Sequence, residues 1–137
     1  MSLIEKLLLW LDSIFNGHKV DGRSNTQQPH LPPINFECIS AVERPPNNSH
    51  IEKNNFYLVT ANHADKWALF QCPCGCGHII TLSLQFTHNH YWRVIRNISK
   101  RPTLYPSVWQ NTPCLSHFWL KDGRVYWCPD SGTQPGI

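Results

Sequence analysis

The run Cys72-Pro-Cys-Gly-Cys-Gly-His78 constrains this chain more than any other feature. Three of the six cysteines alternate within five residues, spaced by proline and glycine. Glycine opens left-handed backbone and proline fixes its own φ, so such a run turns tightly. A tight turn aims several sulfurs at one point and offers backbone amides to thiolates. Zinc takes four ligands at tetrahedral geometry, with Zn–S about 2.3 Å. Three cysteines this close do not easily complete the tetrahedron, so a further ligand must come from far along the chain. Cys114, His117 and Cys128 are the candidates. The expected metal set is drawn from Cys72, Cys74, Cys76, Cys114 and Cys128, with His117 as the alternative ligand and structural zinc as the metal. Such a site staples the central turn to the C-terminal hairpin and adds folding free energy to a small core. Buried thiols and a redox cluster are the competing readings, since the usual C-x-x-C-G knuckle is absent. Cys38 stands alone and is expected to be an ordinary buried cysteine.

The metal reading depends on compartment. No stretch approaches the ~20 apolar residues that a membrane span needs. The start, Met1-Ser-Leu-Ile-Glu-Lys-Leu-Leu-Leu-Trp-Leu-Asp12, is broken or flanked by Glu5, Lys6 and Asp12, and no small-residue cleavage site follows closely. Leu3, Leu7, Trp10, Leu11 and Ile14 fall near one helical stripe, with Gly17 as a stop. An N-terminal amphipathic helix and a cytoplasmic protein are the expectations. In a reducing cytosol clustered cysteines read as metal ligands before disulfides.

The 137 residues suit one domain, and 41% hydrophobic residues with only 15% charged suffice for one core. Residues 1–16 are expected to be the helix, 17–50 a linker and loop region, 51–130 a metal-binding β domain and 131–137 a tail. From about residue 55 the texture becomes short β-type runs. Phe56–Thr60 and Lys66–Phe70 flank a hairpin-like connection. Ile79–Phe86 alternates, with Ile80, Leu82, Leu84 and Phe86 sharing a face. Tyr91–Ile95 follows a polar turn, and Leu104–Trp109 is interrupted by Pro106, which suits an edge or irregular segment. His117–Leu120 and Arg124–Trp127 flank Lys-Asp-Gly, a hairpin signal. The fold class expected is mainly β (α+β): a compact antiparallel β domain stapled by a metal, with an N-terminal helix.

The C-terminal third carries the candidate chemistry: Ser107, Ser116, His117 and Asp122. A serine nucleophile needs a base within hydrogen-bond reach. Ser116 and His117 are neighbours, and on a regular strand their side chains point to opposite faces. Ser107, on a different segment, is the better geometric partner for His117. His88 and His90 alternate and form a candidate second base or metal pair, against the plainer reading of a solvated turn. Tryptophans interleave with Arg93, Arg96, Lys100 and Arg101, a combination that can stack on bases. The net charge of +3 is nevertheless too small to argue for nucleic acid. The chain lacks His-x-Glu followed by Pro-Cys-x-x-Cys, lacks His-Glu-x-x-His, and lacks a Gly-rich phosphate loop. Zinc deaminase, metalloprotease and nucleotide-hydrolase readings have no foothold.

Six motifs occur in one order: Phe70-Gln-Cys-Pro-Cys-Gly-Cys-Gly77, Leu82-Ser-Leu84, Trp92, Pro106-Ser-Val-Trp109, Cys114-Leu-Ser-His-Phe-Trp119 and Gly123-Arg-Val-Tyr-Trp-Cys128. Together, over about residues 56–128, they resemble a family of small bacterial proteins marked by CPCGCG, PS[IV] and C-x-SHF. Members are associated with bacterial ubiquitin-like conjugation operons. The resemblance implies a serine peptidase with a structural metal, which trims a ubiquitin-like precursor or removes the modifier from a target. It implies Ser107 or Ser116 as nucleophile and His117 as base, with a ubiquitin-like protein and E1-like and E2-like proteins as partners. An edge strand would bind the modifier's extended tail by strand addition, with Trp109 or Trp119 walling a narrow glycine slot. The alternative is a non-catalytic zinc-binding adaptor for the modifier or its E2-like enzyme. The two differ in whether a serine sits about 3 Å from a metal-free histidine.

Overall fold

The structure is a computed structural model, and it describes residues 30–135. The expected helix at 1–16 lies outside the described residues. The strands and sites all fall within the unit Pro32–Ile137.

Among the described residues, nine strands make three small sheets. The first sheet holds β1 (Ile39–Val42), β2 (Phe56–Ala61), β3 (Ala64–Gln71) and β4 (Ile79–Ser83) in that order. β2, β3 and β4 are antiparallel, whereas β1 runs parallel to β2, with Ile39 opposite Phe56. A parallel pair cannot be joined by a tight hairpin. The connection from β1 to β2 therefore makes a longer excursion, including a 3-10 turn at Asn48–His50. β1 lies inside the stretch expected to be linker and loop, and Phe36, just before it, is fully buried. Cys38 is exposed rather than buried, because it flanks this edge strand instead of entering the core.

The first sheet is covered on both faces. Phe56, Ala68, Phe70, Ile80 and Leu82 join the main core, while Val59 and Leu69 point the other way and meet Ile51. Successive residues on a strand alternate faces, so a strand covered on both sides is a near-continuous apolar run. The alternation expected through Phe86 ends early. β4 stops at Ser83, and Phe86 is 81% exposed.

β5 (Arg93–Ile95) and β6 (Thr103–Tyr105) form a two-stranded ribbon. β7 (Val108–Trp109), β8 (His117–Lys121) and β9 (Arg124–Trp127) form the third sheet, with β8 in the middle. Val108, Phe118, Leu120 and Val125 face the core. Phe36 packs edge-on against Phe70 at 5.4 Å, and Phe70 meets Phe118 at 6.4 Å. These rings weld the third sheet to the first.

The β8–β9 turn depends on Gly123. Its φ is +73°, and a Cβ there would lie 2.1 Å from the Phe36 carbonyl oxygen. The Gly123 carbonyl accepts from the Asn35 and Phe36 amides, at 2.8 and 3.0 Å, and its own amide donates to the Pro102 carbonyl. The hairpin tip is thus also the clamp on the segment that feeds β1. Among the described residues, no helix is long and apolar enough to cross a membrane.

Candidate active site and thiol cluster

The register of the third sheet builds the site. Trp109 pairs with His117 and Val108 with Phe118. Paired residues share a face, so Trp109 and His117 point away from the core that takes Val108 and Phe118. Continuing that alternation puts Ser107 on the His117 face. Ser107 Oγ lies 3.0 Å from His117 Nε2. The backbone carbonyl of Ser107 accepts from the Trp92 indole N–H at 3.1 Å, which fixes the strand on its approach.

The other ring nitrogen, His117 Nδ1, lies 2.6 Å from Asp130 Oδ1. Asp130 is held by a wrapped turn after β9. Cys128 N donates to the His117 carbonyl, Ser131 N to the Cys128 carbonyl and Gly132 N to the Leu115 carbonyl. The Ser131 hydroxyl accepts the His117 amide at 3.0 Å, and Thr133 Oγ1 donates to the Asp130 carbonyl at 2.6 Å. Trp109 closes the arrangement. Its ring stacks on the imidazole at 4.2 Å and 1°, and its N–H donates to the Thr133 carbonyl. The imidazole is thus largely shielded, with 15% of its side chain exposed, while Asp130 keeps 48%.

Asp130 is the candidate site residue absent from the sequence reading, because it falls at the end of the β domain beside the tail. A signal exists nonetheless. The Asp-Gly turn sets Lys121 opposite Arg124, and that register carried backward puts Cys128 across from His117. The turn-forming Pro129-Asp-Ser-Gly132 that follows then bends back over the histidine.

Ser116 faces elsewhere, as strand alternation requires. It is buried, and its hydroxyl donates to Cys114 Sγ at 3.0 Å. Asp122 belongs to the hairpin tip, where it pairs with Arg101 at 3.1 Å rather than with the histidine. His88 and His90 do not pair. His88 Nδ1 meets Ser83 at 2.6 Å, and that hydroxyl also accepts the Gln85 amide, which makes it part of the turn after β4.

The thiols of Cys72, Cys74, Cys76 and Cys114 converge, all within 4.8 Å of one another. Cys72 Sγ is 3.4 Å from Cys74 Sγ and 3.6 Å from Cys114 Sγ. A tetrahedron with Zn–S of about 2.3 Å has sulfurs about 3.8 Å apart. The spacing therefore suits a four-coordinate metal, and all six cysteines are free thiols. Gly75 and Gly77, at φ of +88° and +81°, supply the left-handed bends that fold the run back. Burial drives the Cys72 thiol strongly up from its ordinary value. Burial opposes ionisation of Cys74 too, but hydrogen bonds from Ser116 and the Cys76 segment outweigh it and lower that thiol to about 7. Ser116 is thus a hydroxyl aimed at the sulfurs.

Cys128, expected within the metal set, lies apart from the four thiols. It joins His117 and Asp130 in a second group whose ligand atoms are mutually within 4.8 Å. Burial, then the nearby Asp130 charge, push its thiol up.

Residues 41–128 match the family model described as BubE, bacterial ubiquitination-like system serine protease. No curated protein and no solved structure matches the chain.

Proposed function

Because the chain belongs to the BubE family, the serine proteases of bacterial ubiquitination-like systems, we propose that it is a metal-stabilised serine peptidase that processes or deconjugates a ubiquitin-like protein. The observation that carries this reading is the continuous hydrogen-bonded line from Ser107 through His117 to Asp130, at 3.0 and 2.6 Å. A serine beside a histidine whose second nitrogen is held by a carboxylate is the arrangement that acyl transfer needs.

In this reading Asp130 accepts the Nδ1 proton of His117, so that Nε2 carries the lone pair facing Ser107. Ser107 Oγ attacks the scissile carbonyl as Nε2 takes its proton. The carboxylate then faces an imidazolium and stabilises it. Collapse of the tetrahedral adduct hands the proton to the leaving amine, and water repeats the steps on the acyl-serine. The Ser–His–Asp chain order differs from the orders of chymotrypsin, subtilisin and the α/β-hydrolases, which supports judging the triad by geometry.

β7 is the outer strand of its sheet. It offers a short edge for an extended modifier tail. Trp109 and Trp119 lie on the same face as Ser107, by strand alternation, and are assigned as walls around the scissile bond. Cys72, Cys74, Cys76 and Cys114 would hold the metal, and four thiolates favour zinc in a closed structural site. Its contribution is to fix the loop between β7, which Ser107 immediately precedes, and β8, which carries His117.

Mass spectrometry of a cognate ubiquitin-like precursor incubated with wild type, Ser107→Ala and Ser116→Ala tests the assignment. Loss of cleavage in Ser107→Ala, with fold and metal retained, is the expected result. Cleavage that survives in Ser107→Ala overturns the nucleophile. A wild type that binds the precursor and never cuts it leaves the adaptor reading.

A further inference from the structure

The group His117, Cys128 and Asp130 contains more chemistry than a peptidase triad uses. A carboxylate on imidazole Nδ1 is part of the triad, but the thiol beside them has no task in acyl transfer. All three ligand atoms lie within 4.8 Å of one another. Asp130 keeps half its side chain in water, so an ion can reach the group from solvent. We propose that His117, Cys128 and Asp130 form a second, inhibitory site for a thiophilic divalent cation of the zinc type, separate from the four-thiol cluster.

The donor set fits. Zinc accepts one imidazole nitrogen, one thiolate and one carboxylate oxygen at about 2.0–2.3 Å. In a tetrahedron the nitrogen and oxygen stand about 3.3 Å apart. The Nδ1–Oδ1 pair, now at 2.6 Å, needs to open by well under an ångström. Water completes the fourth position.

Binding releases one proton to solvent, from the Cys128 thiol, while the His117 Nδ1 proton is moved to Nε2 by exchange with solvent. The metal then occupies the nitrogen that Asp130 had held. The remaining ring proton must sit on Nε2, which becomes a donor toward Ser107 and has no lone pair to accept its proton. The base is disabled without any movement of the serine. Inhibition therefore rests on the peptidase reading, whereas the binding site does not.

Two measurements separate these claims. Protein carrying one metal per chain in the four-thiol cluster is titrated with zinc by calorimetry, and with cobalt(II) by absorption. Wild type is expected to bind a second equivalent, with a thiolate-to-cobalt charge-transfer band rising in step. Cys128→Ala loses that band, and both Cys128→Ala and Asp130→Asn weaken the second event by about tenfold or more. Asp130→Asn, a near-isosteric change on a half-exposed side chain, serves if Cys128→Ala does not fold. Saturation of wild type at one metal, or a second event indifferent to both variants, overturns the proposal. The titration is repeated in Ser107→Ala, where the second equivalent persists. In the cleavage assay, zinc is expected to inhibit wild type with the midpoint seen by calorimetry. A second metal bound by a protein that cuts nothing keeps the site and rejects the peptidase.

Discussion

His117 is fixed from four sides: Ser107 on Nε2, Asp130 on Nδ1, the Trp109 ring on its face and Ser131 on its amide. Each contact does something different, and substitutions separate them. Asp130→Asn keeps shape but offers an amide where the Nδ1 proton needs an acceptor, so the histidine favours the wrong tautomer. Cleavage is expected to fall by on the order of 10²–10⁴ in kcat with KM little changed, read in steady-state kinetics. The lower part of that range reflects the exposure of Asp130. Trp109→Leu removes the stacked ring and the tether to Thr133. It is expected to lower kcat by about tenfold and to raise the mobility of the imidazole, visible as broadened His117 ring resonances by NMR; Trp109→Phe recovers part of both. Ser107 and His117 were legible in the sequence as a pair because they lie on different segments. Asp130 was not, since a carboxylate in a turn carries no periodic signature and its contact exists only once the turn wraps back.

At the scale of elements, two connections set the site. The β8–β9 hairpin was legible as Lys-Asp-Gly between two alternating runs. Its second role, gripping Asn35 and Phe36, was not. Gly123→Ala forces a Cβ against the Phe36 carbonyl at a left-handed φ. It is expected to cost about 2–4 kcal/mol, measured as a lower urea midpoint at unchanged m-value. The loop from Gln110 to Ser116 is the other connection. It is pinned by Gln110 N on the Ser116 carbonyl and by Cys114 in the thiol cluster. β1 shows the limit of pattern reading. Four residues with a parallel partner have no hairpin turn to announce them, and their pairing depends on β2 being in place. Phe86 shows the opposite failure, since alternation in sequence continued after the sheet had run out of partner strand.

At the scale of the whole described unit, the clustered Phe36, Phe56, Phe70 and Phe118 rings and the thiol cluster are two of the joints between sheets. Phe70→Ala in the fully buried centre is expected to cost about 3–5 kcal/mol in denaturant unfolding. Chelation tests the metal proposed for the other joint. Stripping the metal is expected to lower the thermal midpoint and abolish cleavage together, while Ser107→Ala abolishes cleavage alone. Loading requires thiolates, and burial holds the Cys72 proton tightly. Protons and metal therefore compete, and metal retained after dialysis falls as pH falls.

The β character, the runs that become β2 and β3, the alternation of β4, the turn at residues 72–78, the Asp-Gly hairpin and the separation of Ser116 from His117 were readable from the chain alone. All of these follow from the geometry of neighbours along a chain: a period of two, a glycine that bends, a turn that sets register. Tertiary structure decided which cysteine completes the cluster, that Cys128 joins His117 instead, that Asp130 reaches the imidazole, and that β1 belongs to the sheet. Those contacts link residues across separate segments. Their geometry is fixed by how sheets pack and loops wrap, and no local spacing encodes it.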